Sequence, residues 1–195
     1  MISTEADTQD RADMEKLQAG HDAALNDLMA RHATPIFHFL FRLTGCEDDA
    51  NDLAQETFVR VFKSCRNFRL EQKFSTWLYA IAANLARNHF RWRQRHPNIS
   101  LETENPQTEQ SLGSTLPANS PAPNEEILTD ERCRAVRSAV DHLPEELREA
   151  IVLCEWQERS MAEAAMILDT TPKAVESRIY RARQILRERL KHWLD

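Results

Sequence analysis

The chain has 195 residues, 42% hydrophobic and 29% charged, with a net charge of −6, enough for one ordinary domain or two small ones. Its three glycines, Gly20, Gly45 and Gly113, are too few for sheet turns or glycine-rich phosphate loops, so an all-helical protein is expected. No run of about 18 apolar residues is present to span a membrane, and the polar, acidic N-terminus lacks the apolar stretch of a signal peptide.

Residues 10–97 read as a first helical domain. Leu25, Leu28, Met29, Ile36, Phe37 and Leu40 make a helical stripe interrupted near Pro35, with Gly45 as a helix stop. The next predicted helix, Glu47–Ser64, places Ala50, Ala54, Phe58, Val61 and Phe62 on one face. Asp49, Asp52, Glu56, Arg60 and Lys63 share the other face, with Leu53 on the edge. Such an ordered charged stripe suits either plain solvent or a partner surface. Residues 65–74 break the pattern and are expected to form a loop. A helix then runs to about Arg95, with Ser75 or Thr76 as its cap and Leu78, Ile81, Ala82 and Leu85 toward the core. Trp77, Asn84, Asn88, Arg91 and Arg95 fall on the opposite stripe.

That row suits nucleic acid. Arginines neutralise phosphates, amides read base edges, and aromatic rings accept unstacked bases. Phe68, Phe74, Trp77, Phe90 and Trp92 lie among basic residues, as a single-strand platform requires. Core packing is the alternative for each ring taken singly.

Residues 98–126, rich in proline and polar residues, read as a linker that cannot bury enough apolar surface to order itself. Charge changes along the chain in step with this division. Residues 98–131 hold seven acids and no lysine or arginine, whereas 60–96 hold nine basic residues against Glu71 alone, and 171–191 hold seven against two. Two basic patches therefore flank an acidic connector.

The second domain, 127–195, contains a helix start at Leu143-Pro144 with Glu145 and Glu146 near the positive dipole end, expected to run to Gln157. Ser160 and Glu163 fit a capping box that opens a short apolar helix to Leu168. Asp169 and Thr170 make a turn, and Thr171-Pro172 starts the last helix. There Val175, Ile179, Ala182, Leu186 and Leu190 form the buried side; Lys173, Glu176, Ser177, Tyr180, Gln184 and Arg187 are exposed, flanked by Arg178, Arg181 and Arg183. A short helix, a tight turn and a long basic helix make a helix-turn-helix, whose second helix enters the major groove. The scattered cysteines Cys46, Cys65, Cys133 and Cys154 are expected to be reduced thiols. The seven histidines are dispersed, and no HExxH, P-loop or GxSxG occurs, so no catalytic residue, metal or cofactor is expected.

Four motifs, DANDLAQETF at 49–58, FSTWLYAIAAN at 74–84, LPEELR at 143–148 and VESRIYRAR at 175–183, together resemble the extracytoplasmic-function (ECF) sigma factors of the sigma-70 family. The resemblance implies two all-α domains, sigma regions 2 and 4, joined by the acidic linker, and a cytoplasmic, non-enzymatic subunit. It implies that Asp49, Asp52, Leu53, Gln55, Glu56 and Arg60 bind core RNA polymerase. Phe68, Phe74, Trp77, Asn84, Arg87, Asn88, Arg91 and Arg95 would recognise and open the −10 element of promoter DNA. Thr171, Lys173, Glu176, Ser177, Arg178, Tyr180, Arg181 and Arg183 would read the −35 element. An anti-sigma factor is the implied regulator. Family members often carry a basic residue where Glu176 stands; glutamate accepts from cytosine N4 instead. Glu163-Ala164-Ala165 also replaces the commoner Glu-Ile-Ala, a change of packing. The rival reading is a helix-turn-helix regulator that binds duplex DNA without core polymerase, which leaves the 49–63 face and the Trp77–Asn88 row without a task.

Overall fold

The structure, a computed structural model, describes residues 5–96 and 123–193, and no strand occurs among them. The first helical group comprises α1 (Glu5–Gln18), α2 (Ala24–Thr44), α3 (Glu47–Ser64) and α4 (Phe74–Arg95), with a single 3-10 turn at Cys65–Asn67. The second comprises α5 (Pro123–Asp141), α6 (Glu145–Ile151), α7 (Met161–Ile167) and α8 (Pro172–Arg189).

Helix α2 is continuous, whereas the sequence suggested a break near Pro35. Leu28, Ile36, Phe39, Leu40 and Leu43 are all buried along one face. Their burial, roughly 1.5–3 kcal/mol each, outweighs the roughly 3 kcal/mol that an interior proline costs. The helix ends at Gly45, whose φ of 70° is left-handed and whose N–H donates to the Phe41 carbonyl at 2.9 Å.

Polar side chains fasten α1 to α2. Asp10 and Asp13 are buried, and Arg31 donates to both, Nε to Asp10 Oδ1 at 3.0 Å and Nη2 to Asp13 Oδ2 at 2.7 Å. His32 Nε2 lies 2.8 Å from Asp10 Oδ2. Burial opposes ionisation of Asp13, but hydrogen bonds from Lys16 and Arg31 outweigh it and hold its carboxyl below the ordinary value.

Four expected local features differ. Helix α4 begins at Phe74 after Lys73, so neither Ser75 nor Thr76 is its cap; Ser75 is buried instead. Pro144 precedes α6 as its N-cap, not its first helical residue, and Val152–Trp156 continue as a wider π turn before the chain leaves the helix at Gln157. Helix α5 starts at Pro123, so the last four residues assigned to the linker are helical. The rest of that linker lies outside the described residues. Phe62, expected in the core, is 42% exposed, and Leu53 takes the inner position. Helix packing selects Ala50, Leu53, Thr57, Phe58 and Val61, a stripe rotated from the one drawn on hydrophobicity alone.

The helix-turn-helix forms as its start signals require. Ser160 and Glu163 complete the capping box, the serine hydroxyl accepting from Glu163 N and the carboxylate accepting from Ser160 N at 3.1 Å. Thr171 caps α8 by accepting from Ala174 N at 3.2 Å, with Pro172 next. Asp169 turns the chain with a φ of 51°. Val175, Ile179 and Ala182 are buried as expected, with Leu186 and Leu190 at the half-buried rim.

Candidate nucleic-acid and polymerase interfaces

The outer face of α3 is mixed. Asp52, Gln55, Val59 and Phe62 follow at helical spacing and are exposed, with Glu56 half-buried beside them. Val59 and Phe62, 41% and 42% exposed, add an apolar centre to a polar stripe, the composition of a docking face. Val59 was missed in the sequence reading; its signal was an apolar residue in the middle of the charged face. Glu56 and Arg60 pair along the helix at 3.0 Å. Asp49 faces inward to α4, 2.9 Å from Arg93 and 3.3 Å from His89. Leu53 is buried, so its part is to support this face from below.

On α4, Asn84, Asn88, Arg91 and Arg95 are exposed and Trp77 is half-buried, so the predicted row points outward. The rings beside it divide. Phe68 and Phe74, expected as stacking surfaces, are 5% and 3% exposed. They pack with Trp77 at centroid distances of 4.9 and 6.2 Å, and His32 meets Phe74 edge-on at 5.2 Å. They set the tryptophan from beneath, because α4 begins at Phe74 and turns that ring inward. Trp77 is the ring of this trio left at the surface. Arg87 is engaged: its Nε donates to Glu149 Oε1 of α6 at 2.8 Å and its Nη1 to Asn84 Oδ1 at 3.0 Å. Arg95 donates to the Arg91 carbonyl at 3.2 Å.

Helix α8 leaves Lys173, Glu176, Ser177, Tyr180, Arg181 and Arg183 exposed, Tyr180 by 64%. Thr171 is exposed, but its hydroxyl is used as the helix cap. Arg178 is half-buried and pairs with Glu146 at 3.1 Å, and Arg183 pairs with Glu155.

Residues 28–96 match the Sigma-70 region 2 family and residues 133–186 the Sigma-70 region 4 family. The chain is 34% identical over 182 residues to an ECF RNA polymerase sigma-E factor of Haemophilus influenzae, covering 93% of this chain and 95% of that one. It is 31% identical over 179 residues to the ECF sigma factor SigW of Bacillus subtilis, covering 91% and 95%. The chain belongs to the ECF family of RNA polymerase sigma factors. Its structure resembles that of CnrH, solved in complex with the cytosolic domain of CnrY, with a TM-score of 0.69, 26% identity, and coverage of 94% of this chain and 98% of that one. A sigma factor RpoE from Bartonella quintana, solved with the anti-sigma factor NepR, shares the fold at a TM-score of 0.65 and 23% identity, with 85% and 96% covered.

In this sigma factor the two helical groups share one continuous apolar cluster, and polar contacts that sequence reasoning missed also cross between them. Lys73 Nζ lies 3.1 Å from Glu163 Oε1, and Arg159 Nη1 donates to Ser75 Oγ at 3.1 Å. The Arg159 guanidinium sits 4.5 Å from the Tyr79 ring centroid, and the Tyr79 hydroxyl donates to Gln157. Arg148 Nη1 donates to the Leu43 carbonyl at 2.7 Å while Nη2 donates to the carbonyls of Asp141 and Leu143. Burial pushes the Glu149 carboxyl above its ordinary value, although Arg87 pulls the other way. The contacts between groups join residues 62 to 105 positions apart, so nothing local announces them. A weak signal was available: the basic surplus of the first domain and the acids of 145–163 are complementary.

Proposed function

We propose that this sigma factor directs core RNA polymerase to promoters through three surfaces, with residues 10–97 acting as region 2, 98–126 as the connecting linker and 127–195 as region 4. The outer face of α3, with Asp52, Gln55, Glu56, Val59, Arg60 and Phe62, docks on core polymerase; Leu53 and Asp49 hold it in shape. Trp77, Asn84, Asn88, Arg91 and Arg95 of α4, joined by Arg87 when it is free, take the −10 element as separated strand. Lys173, Glu176, Ser177, Tyr180, Arg181 and Arg183 at the exposed face of α8 read the −35 element, while Arg178 and Thr171 position the helix.

The observation that carries this reading is the outward row on α4. One half-buried tryptophan, two amides and two guanidinium groups share a solvent-facing stripe. Flipping a base from the duplex costs a few kcal/mol, and stacking returns roughly 1–3 kcal/mol per base. Strand opening is therefore driven by binding, with no hydrolysis by this subunit and no cofactor. The site of action is the cytoplasm, where core polymerase works, and an anti-sigma factor that covers these surfaces holds the protein inactive.

Reconstitution tests the proposal. Core polymerase with the purified chain should initiate from specific promoters and make thymines near −10 reactive to permanganate. Asn84→Ala with Asn88→Ala should abolish that reactivity while the −35 footprint persists. If the chain protects duplex DNA and never changes where core polymerase starts, it is an ordinary helix-turn-helix regulator.

A further inference from the structure

Helix α4 carries one large ring that the promoter-opening row leaves unused. Trp92, near the end of the helix, is 44% exposed, whereas Trp77 near its start is half-buried. Trp92 follows Asn88 by four residues, so it stands one turn further on and about 40° round the helix axis. Asn84, Asn88 and Trp92 therefore form one continuous edge, two amides followed by an indole.

The indole is held in a fixed plane. His96, where the helix ends, lies against it with ring centroids 5.0 Å apart and an interplanar angle of 27°. The histidine is itself tied back to Trp92: its N–H donates to the Trp92 carbonyl at 3.1 Å, and its Nδ1 lies 2.9 Å from the same oxygen. A ring braced on one side and this exposed presents a flat apolar surface of set orientation.

The charges around it say what that surface meets. Residues 91–96 include Arg91, Arg93 and Arg95 and no acid. Asp49 of α3 holds Arg93 at 2.9 Å, while Arg91 and Arg95 stand exposed on the row. A flat ring flanked by cations suits a base and its phosphates. The face of α3 read above as the polymerase contact carries the acids Asp52 and Glu56 instead.

Helix geometry sets where on the DNA this ring falls. Trp77 and Trp92 are 15 residues apart on one helix, about 22 Å at roughly 1.5 Å per residue. Along a strand laid on the row, that is about six nucleotides at roughly 3.4 Å each. When Trp77 takes a displaced base of the −10 element, Trp92 thus lies at the boundary of that element. The connector to the −35-reading group begins at residue 97, just past this end of α4, and the −35 element lies upstream. The boundary is therefore the upstream one, where duplex resumes.

We propose that Trp92, braced by His96, stacks on the first intact base pair upstream of the opened −10 element and keeps the separated strands from closing. This rests on the promoter-opening reading of α4. Its task differs from that of the row: Trp77 receives a displaced base, whereas Trp92 caps the end of a duplex, as apolar wedges do at an unstacked step. Stacking tolerates any base, so the contact governs how long the promoter stays open and not which promoter is chosen. His96 is a positioning residue that acts through the indole.

The full chain with core polymerase tests it, on promoter DNA that this holoenzyme itself selects from a random-sequence library. One probe is a fork, duplex up to the −10 boundary and single-stranded beyond; the other is the −10 single strand alone. W92A should bind the fork about tenfold more weakly and shorten the open-complex lifetime, read by permanganate after a heparin challenge, by a similar factor. Its binding to the single strand should stay within about twofold of wild type. W92F should restore most of the loss. H96A should weaken fork binding by about threefold, and adding it to W92A should cost nothing more, because His96 works through that ring. A W92A holoenzyme that matches wild type on the fork overturns the inference. So do equal losses on both probes, which make Trp92 one more strand contact, and a loss that vanishes at saturating core polymerase, which makes it a protein contact. Should W92A unfold by circular dichroism, H96A decides by the same difference between fork and strand. If the wild-type holoenzyme selects no promoter or opens none, the promoter reading of α4 fails and this inference with it; if it opens promoters and W92A is neutral, this inference alone fails.

Discussion

Replacing Phe74 by alanine should act on folding, whereas replacing Trp77 should act on DNA. Phe74 is 3% exposed, opens α4, and meets His32, Phe68 and Trp77 at centroid distances of 5.2, 6.1 and 6.2 Å. Deleting a ring so enclosed removes its transfer free energy and leaves a cavity, about 3–5 kcal/mol together. A domain of this size has roughly 5–15 kcal/mol in total. With a urea slope of about 1–3 kcal/mol per molar, the midpoint should fall by about 2 M with the slope unchanged. Circular dichroism in urea, monitored on the full chain, measures this. Trp77→Ala, at a half-buried position, should move the midpoint far less and weaken single-strand binding by the roughly 1–3 kcal/mol that one stacked base is worth. An F74A protein with an unshifted midpoint and weakened DNA binding would show that the Phe74 ring is reached by bases, and the division of labour drawn among these rings would be wrong.

Other perturbations address the rest of the molecule. Arg31→Ala removes the cation shared by two buried carboxylates, leaving Asp10 with His32 and Asp13 with Lys16, and should cost about 3 kcal/mol in a denaturant titration. Ser160→Ala removes the N-cap of α7 and should lower stability by about 1 kcal/mol. Tyr180→Ala, at a side chain 64% exposed, should leave the melting temperature nearly unchanged while reducing affinity for −35 duplex DNA in a mobility-shift assay. Among the thiols, exposed Cys133 should react first with a maleimide at neutral pH. Cys65 is buried, and burial raises the Cys154 thiol above its ordinary value; both should wait for unfolding, as mass spectrometry of labelled peptides would show.

The sequence alone determined the features governed by nearest neighbours along the chain. The outward row on α4 follows from 3.6-residue periodicity, and the capping box at Ser160 and the cap-plus-proline start at Thr171 need only residues within one turn. Charge distribution likewise requires no coordinates. Tertiary structure decided which rings face inward and which cations are already occupied. Phe68, Phe74 and Trp77 are all aromatic residues beside basic ones, and only tertiary packing buries the first two and leaves the third at the rim. Continuity through Pro35 likewise depended on burial of the flanking face. The Arg31 cluster and the Arg87–Glu149 pair join groups 18 to 62 residues apart. A sequence records that such charges exist; only the packing of distant helices determines which of them meet.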